Sequence, residues 1–391
     1  MGRVVLVGTG MTKFSKKPGT GLREMALSAA AEALADAGIS AEAIDRIYFG
    51  NAAGASVTRQ EMVRGQVTFR GHPLGSKPII NIENACASGG SSIMLGVEAV
   101  SSGLADVVLA VGAEQLSHEL RERTVQALRG SMDINEIGEE DASTAAPGQS
   151  ALMACYAQEG LEYMAEYGAD LSDFAKVAVK NRRHGALNPR AQFAQLQTVD
   201  EVLAARMVAD PLTLSMCSPI SDGAAAVVIC STEYARKNGL KGVRVLASHI
   251  APGHGAGSSP LGNAARLAYE SAGIGPGDLD LVELHDAAAP AELIQYEELQ
   301  LCGAGEGVRL IRDGKTDLAG QIPVNVSGGL MSRGHPLGAT GCAQVFELCE
   351  QLRGQAGARQ VEGARIGLAA NAGGWIGGTY AVGVATILMK D

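Results

Sequence analysis

Aromatic residues are scarce in this chain, at 4%, and tryptophan occurs once, at Trp375. The 46% hydrophobic share must therefore come from small aliphatics, and the 51 glycines go with tight turns and close backbone approaches. A length of 391 residues suggests two or three domains with a large core. Basic excess is missing: the net charge is -10 and the pI is near 5.3. Nucleic acid is thus not an expected partner, and an anionic ligand would need a local basic pocket. Long apolar runs are missing too. The opening run Val4–Val7 is too short for a signal core or a membrane span. Gly2 is followed by Leu6 where N-myristoylation needs Ser or Thr. The seven cysteines are odd in number, scattered and without a CxxC pair. That pattern gives no disulfide framework and no structural zinc site, and it points to reducing cytoplasm. Phosphate-cradling P-loops and paired carboxylates are also absent, so NTPase and hydrolase readings have no support.

What is there is a repeat. AEALADAGISAEAIDRIYFGN (Ala31–Asn51) resembles ARLAYESAGIGPGDLDLVELHD (Ala265–Asp286). Each reads as an Ala-rich helix, a glycine stop at Gly38 or Gly273, a short link and an apolar strand. A second pair follows. Ile93, Val97, Val100 and Leu104 share one helical face before the strand DVVLAVG (Asp106–Gly112). Cys342, Val345, Phe346, Cys349 and Leu352 share another before RIGLAA (Arg365–Ala370). The alternation predicts an α/β fold with mostly parallel strands, built from two similar halves. The halves divide as 1–250 and 251–391, joined near Ser248–Gly262, with a polar, partly helical insertion over about 117–217.

Three side chains stand out. Cys86 lies in ENACASGGSS (Glu83–Ser92), between the β-type run Pro78–Ile82 and the Ile93 helix. A strand-to-helix turn presents free N–H groups and a positive dipole end, which lowers a thiol pKa. The competing reading is a buried small hydrophobe, which serves for most of the other cysteines. GHPLG occurs twice, at Gly71–Gly75 and Gly334–Gly338. The second copy feeds a helix and mirrors Cys86 in the repeat, so His335 reads as chemical. The first runs straight into a strand, so His72 reads as coincidence. His285 ends the apolar strand Leu279–Leu284, at the sheet edge where α/β folds bind ligands.

These residues resemble those of the thiolase family over nearly the whole chain. The carrying motifs are NACASGG at Cys86, HDAAAPAEL at His285, GHPLGATG at His335 and the terminal NAGGWIGG (Asn371–Gly378). The His-Asp pair at 285–286 is similar to the sterol-carrier-protein type and the archaeal thiolases. The resemblance implies a duplicated, five-layered αβαβα thiolase fold, a homodimer or larger assembly, and acyl-CoA and CoA as substrates, with no bound cofactor and no metal. It implies that Cys86 carries the acyl group, His335 takes the thiol proton and His285 helps hold an enolate oxygen. Backbone N–H groups at Cys86 and around Gly373 and Gly374 would hold the second oxyanion. Ser327 lies in a loop that thiolases place near the pantetheine. Trp375 stands where the family has a small residue and would shape the acyl pocket, with simple packing as the competing reading.

One departure is clear. The family carries a second cysteine for the α-carbon. Here one of its places reads Asn371-Ala372-Gly373-Gly374 and the other is Ala287. A decarboxylating ketosynthase needs only Cys-His-His, and a CoA-thioester aldolase needs no acyl-cysteine, so both stand as alternatives. A non-enzymatic scaffold would have little reason to keep all three groups. The HDxxxxxE wording (His285–Glu292) further implies a small zinc-ribbon and OB-fold partner protein, and branched or aromatic acyl groups. The run Lys180–His184 (KNRRH) is basic enough to meet CoA phosphates, with a solvated helix face as the competing reading.

Overall fold

The computed structural model describes residues 4–16, 21–137, 150–255 and 257–391. Its strands are β1 (Val4–Met11), β2 (Arg46–Gly50), β3 (Ile79–Ile82), β4 (Val107–Gln115), β5 (Met207–Ala209), β6 (Leu212–Thr213), β7 (Asp222–Ser231), β8 (Val243–Pro252), β9 (Leu281–Glu283), β10 (Ile366–Ile376) and β11 (Thr379–Met389). Apart from the β5–β6 hairpin they form one hydrogen-bonded sheet, ordered β3-β2-β4-β7-β1-β8-β11-β10-β9.

That order records the duplication. Outward from the β1–β8 junction, one arm runs β7, β4, β2, β3 and the other runs β11, β10, β9. The second arm ends on a lone parallel bridge from Val282 to Val324, in the place β3 takes on the first. The two expected glycine stops hold, with Gly38 at φ 66 and Gly273 at φ 69. Two expectations change. The sheet is mixed, because only β2–β3, β2–β4 and β9–β10 pair in parallel. β10 and β11 are joined by a turn at Gly377–Gly378, which is far too short for a parallel crossover. The expected link at 248–262 starts inside β8, whose Val243, Val245, Ala247 and Ala251 are buried, so the division at 250/251 falls within a strand.

Side-chain alternation sets the layers. Val5 and Val7 of β1 pack on the outer helix Leu22–Ala37, while Val4 and Leu6 face inward. Across the other arm, Leu368 and Ala370 of β10 pack toward the outer helix Pro260–Ala272, and Ala369 faces inward. Between the arms lie the helices Ser88–Ser101 and Thr340–Arg353, which gives five layers, αβαβα. The first inner helix stops at Ser101, so Leu104 falls outside it and is 61% exposed.

The two inner helices meet at their N-terminal ends through glycine. A methyl group on Gly341 would lie 2.2 Å from the backbone nitrogen of Gly90, and one on Gly112 would lie 2.2 Å from the carbonyl oxygen of Gly338. Real side chains never come so close, so this seam is open only to glycine. It brings the turn before one helix and the loop before the other to the same place.

Candidate active site

Cys86 sits on the turn between β3 and the Ser88–Ser101 helix. The turn is tight: Ala85 adopts φ 46, a left-handed conformation that costs an L-residue about 1–2 kcal/mol. Gly373 of β10 backs it so closely that a methyl group there would lie 2.2 Å from the Asn84 carbonyl oxygen. His335 comes from the loop before the Thr340–Arg353 helix, held by its backbone N–H donating to Ser221 Oγ at 2.9 Å. His285 follows β9, its backbone locked by Gln295, which accepts from His285 N–H at 2.9 Å and donates to its carbonyl at 2.8 Å.

The fold gathers these three. Cys86 Sγ and one ring nitrogen of each histidine lie within 4.8 Å of one another. The imidazoles meet edge to face, with centroids 5.1 Å apart. That closeness would also suit one soft ion, although no further His, Cys, Asp or Glu joins the group among the described residues. His72 lies elsewhere, where its Nδ1 accepts from the Leu74 N–H at the start of a short turn.

A small cavity opens on the cluster, lined by Cys86, His285, Gly373, Gly374, Tyr156 and Tyr380 together with Ser131 and Leu152. Its free volume is only about 10 Å³, roughly one water molecule. Trp375 stands one layer back, its ring 5.5 Å from those of both Tyr156 and Tyr380. Tyr156 and Leu152 belong to the insertion, which therefore walls the site.

Burial governs the electrostatics. It pushes the Cys86 thiol up to about 12, and Glu114 nearby adds to the rise. The lowered thiol expected from the helix dipole is thus reversed: loss of water outweighs the turn's N–H groups. Burial pulls His285 down to about 3, helped by the Arg333 charge. It holds His335 well below its ordinary range, and His285 and Arg333 add to that. The resting site is a neutral thiol beside two neutral imidazoles.

Two sequence expectations are corrected here. Ser327 is fully buried and does not line the cavity: its hydroxyl donates to Glu283 at 2.6 Å and its N–H to the same carboxylate at 2.9 Å. The KNRRH run is neither a phosphate site nor a solvated face. Lys180 is buried against Glu292 at 2.6 Å, and Asn181 donates to both Asp286 and Glu292. His184 meets the Asn325 carbonyl at 3.0 Å, and Arg182 stacks on Phe193. Only Arg183 reaches solvent, paired with Asp317. The segment braces the loops that carry His285 and His335.

Sequence reasoning missed several neighbours. Thr340 lies 2.8 Å from His335 Nδ1, and the Asn371 amide nitrogen lies 3.2 Å from His285 Nδ1. Thr340 sits at the first residue of the helix after His335, a signal the sequence did contain. Tyr156 and Tyr380 carried none.

Comparison with known proteins identifies the family. Residues 4–233 match the family described as Thiolase, N-terminal domain, and residues 245–388 match Thiolase C-terminal domain-like. An acetyl-CoA acetyltransferase of Methanothermobacter thermautotrophicus is 40% identical, covering 97% of this chain and 98% of its own. Human sterol carrier protein 2 is 38% identical over 97% of this chain and 71% of its own. Benzoylsuccinyl-CoA thiolase subunit BbsB of Thauera aromatica is 38% identical over 92% and 91%. Among solved structures, an Ltp2-ChsH2(DUF35) aldolase superposes with TM-score 0.80 at 27% identity, covering 100% of this chain and 98% of that one. Human mitochondrial 3-ketoacyl-CoA thiolase shares the fold, with TM-score 0.73 at 21% identity over 100% and 99%. The chain belongs to the thiolase family and is an acyltransferase.

Proposed function

We propose that the protein is a CoA-dependent thiolase that cleaves or forms a 3-oxoacyl-CoA through an acyl-Cys86 thioester. The observation that carries this reading is the convergence of Cys86, His285 and His335 within 4.8 Å, with Cys86 and His285 lining a cavity that Gly373 and Gly374 also line. A thiol held near 12 is inert until a base takes its proton during attack. His335, neutral beside it, is that base. Sγ adds to the 3-keto carbon, the bond between C2 and C3 breaks, and the departing thioester leaves as an enolate whose oxygen His285 binds. The backbone at Cys86 and Gly373–Gly374 holds the thioester oxygen when free CoA attacks the acyl-enzyme.

The finer reading concerns substrate and partners. BbsB, by name a benzoylsuccinyl-CoA thiolase subunit, supports a branched or aromatic acyl group. The aldolase neighbour is paired with a DUF35 protein, which supports a small zinc-ribbon and OB-fold partner here. A homodimer or larger assembly in the cytoplasm completes this reading. The seven free cysteines support a reducing compartment. No helix among the described residues is long and apolar enough to cross a membrane.

A CoA-thioester aldolase is the second reading, favoured by that 27% identical neighbour and by Asn371 standing in the second cysteine's place. Intact-protein mass and product analysis after incubation with panels of 3-oxoacyl-CoA and 3-hydroxyacyl-CoA esters separate the two. An acyl adduct on the wild type, missing in Cys86→Ser, supports the thiolase. Cleavage of a 3-hydroxyacyl-CoA to a carbonyl compound and a shorter acyl-CoA without an adduct, persisting in Cys86→Ser, supports the aldolase.

A further inference from the structure

We propose that Asn371 and Thr340 lock the two site histidines in opposite tautomers, so that His335 alone carries protons, including the proton of the α-carbon. This rests on the thiolase reading and names the group that does the missing cysteine's work.

The argument is a count of donors. Thr340 Oγ lies 3.0 Å from the Pro336 carbonyl oxygen, which can only accept. The single hydroxyl proton is committed there, so Thr340 Oγ accepts from His335 Nδ1 at 2.8 Å. His335 is therefore protonated on Nδ1, and its Nε2 lone pair is free. The Asn371 side-chain nitrogen lies 3.2 Å from His285 Nδ1, and an amide nitrogen can only donate. His285 Nδ1 accepts, so its proton sits on Nε2. One ring is a base and the other is a hydrogen-bond donor, as an enolate oxygen requires.

Other carriers are excluded one by one. His285 has no lone pair left to take a proton, because its Nδ1 accepts from the Asn371 amide and its Nε2 already carries the ring proton. Tyr156 and Tyr380 line the cavity, but burial pushes both hydroxyls well above their ordinary value. Asn371 is an amide and trades no proton. Glu114 is spent on the backbone N–H groups of Ala52, Ala53 and Gly338.

The cycle balances with one carrier. His335 Nε2 takes the Cys86 proton as the sulfur bonds to C3. The C2–C3 bond breaks, its electron pair passes to the enolate, and His335 returns the same proton to C2. In the second half the CoA thiol gives its proton to His335 and its sulfur attacks the acyl carbon. The Cys86 sulfur leaves and takes that proton back. No oxidant or second acid is needed.

Two measurements test this. The first is nitrogen-15 NMR of histidine-labelled wild-type protein, which reads each tautomer without turnover. His335 protonated on Nδ1 and His285 on Nε2 is the expected result. In Asn371→Ala the His285 preference should weaken while His335 stays unchanged. A His285 protonated on Nδ1 overturns the proposal, because the Asn371 amide then faces the other way. The second is deuterium uptake at the α-carbon of an acyl-CoA in heavy water. His335→Ala should lose uptake and acyl-Cys86 formation together, each by at least 100-fold. Uptake that survives in His335→Ala reveals a second carrier and sinks the idea. A wild type that forms no acyl adduct fails the thiolase reading, while the NMR result still judges the tautomers.

Discussion

Glu283 and Arg333 form a buried ion pair at 3.2 Å, and each stands two residues ahead of a site histidine. The pair is a floor beneath His285 and His335. Ser327 ties it together, donating its hydroxyl to Glu283 and accepting from Arg333 Nη1 at 3.1 Å. Arg333 Nε and Nη2 have no hydrogen-bond partner among the described residues, so the cation is held there at a cost in solvation. What it contributes is a positive field on both imidazoles.

Burial of His335, with His285 and that field adding to it, has a consequence for pH. His335 works as a base only when neutral, and its folded value is lowered, so activity is lost only when pH falls through that lowered value. The acid limb of kcat/KM should therefore lie below the ordinary histidine value of about 6.5. The groups facing His335 are His285, Cys86 and Arg333, with Glu114 behind Gly338. In the neutral double variant Glu283→Gln, Arg333→Met the limb should move up toward that value. A pH profile of acyl-enzyme formation checks this. An acid limb already at or above 6.5 in the wild type contradicts it.

Removing one member of the pair should be worse for stability than removing both. A single Arg333→Met leaves a buried carboxylate alone, and breaking such a pair costs about 3–5 kcal/mol. The double variant replaces the pair with uncharged side chains of similar size and should recover most of that loss. Urea unfolding of the two single variants and the double variant gives the coupling directly. Purely additive losses would mean that the two charges do not depend on each other.

Much of this was legible in the sequence. The repeat gave two similar halves because Gly38 and Gly273 need left-handed backbone at matching places. Cys86 and His335 stood out because each precedes a helix with glycine around it. The signals that failed were those of burial. Lys180 and Arg182 looked like surface charge, since a run of basic residues says nothing of Glu292 or Phe193 arriving from elsewhere in the chain. Ser327 was expected near the pantetheine, and its surroundings in the chain held no sign that Glu283 takes up both its hydroxyl and its N–H. The thiol of Cys86 looked activated from its turn alone, yet the packing around it decides its protonation. The size of the insertion suggested that it covers a site, but no spacing could single out Tyr156 as the residue that reaches it. The antiparallel pairing of β7 with β4 and β1, and of β11 with β8 and β10, turned the expected parallel sheet into a mixed one.

The glycine seam should tolerate nothing larger. Gly341→Ala and Gly112→Ala would each place a methyl group 2.2 Å from backbone atoms. Overpacking of this kind costs about 1–3 kcal/mol, occasionally more. The backbones must part to relieve it, and parting them moves His335 away from Cys86. We expect lowered thermal stability together with a loss of acyl-enzyme formation of at least 10-fold. By contrast, Gly354→Ala, at a helix end with open space around it, should cost stability through its φ of 72 and leave acylation intact. Equal acylation in the seam variants and the wild type would show that the seam does not set the distance between the two groups.

Trp375 should limit the size of the acyl group although it does not touch the cavity. Tyr156 and Tyr380 form the wall, and Trp375 packs against both at 5.5 Å. With a free volume near 10 Å³, any acyl chain longer than a methyl group needs these tyrosines to move, and Trp375 blocks their retreat. Trp375→Ala removes the block at a cost of about 3–5 kcal/mol, the usual loss for emptying such a site. In Trp375→Ala, kcat/KM for a bulky 3-oxoacyl-CoA should rise relative to that for acetoacetyl-CoA by 10-fold or more. Trp375→Phe keeps a ring in place and should change the ratio little. If the ratio stays fixed in both variants, the tyrosines yield in some other direction and Trp375 is packing alone.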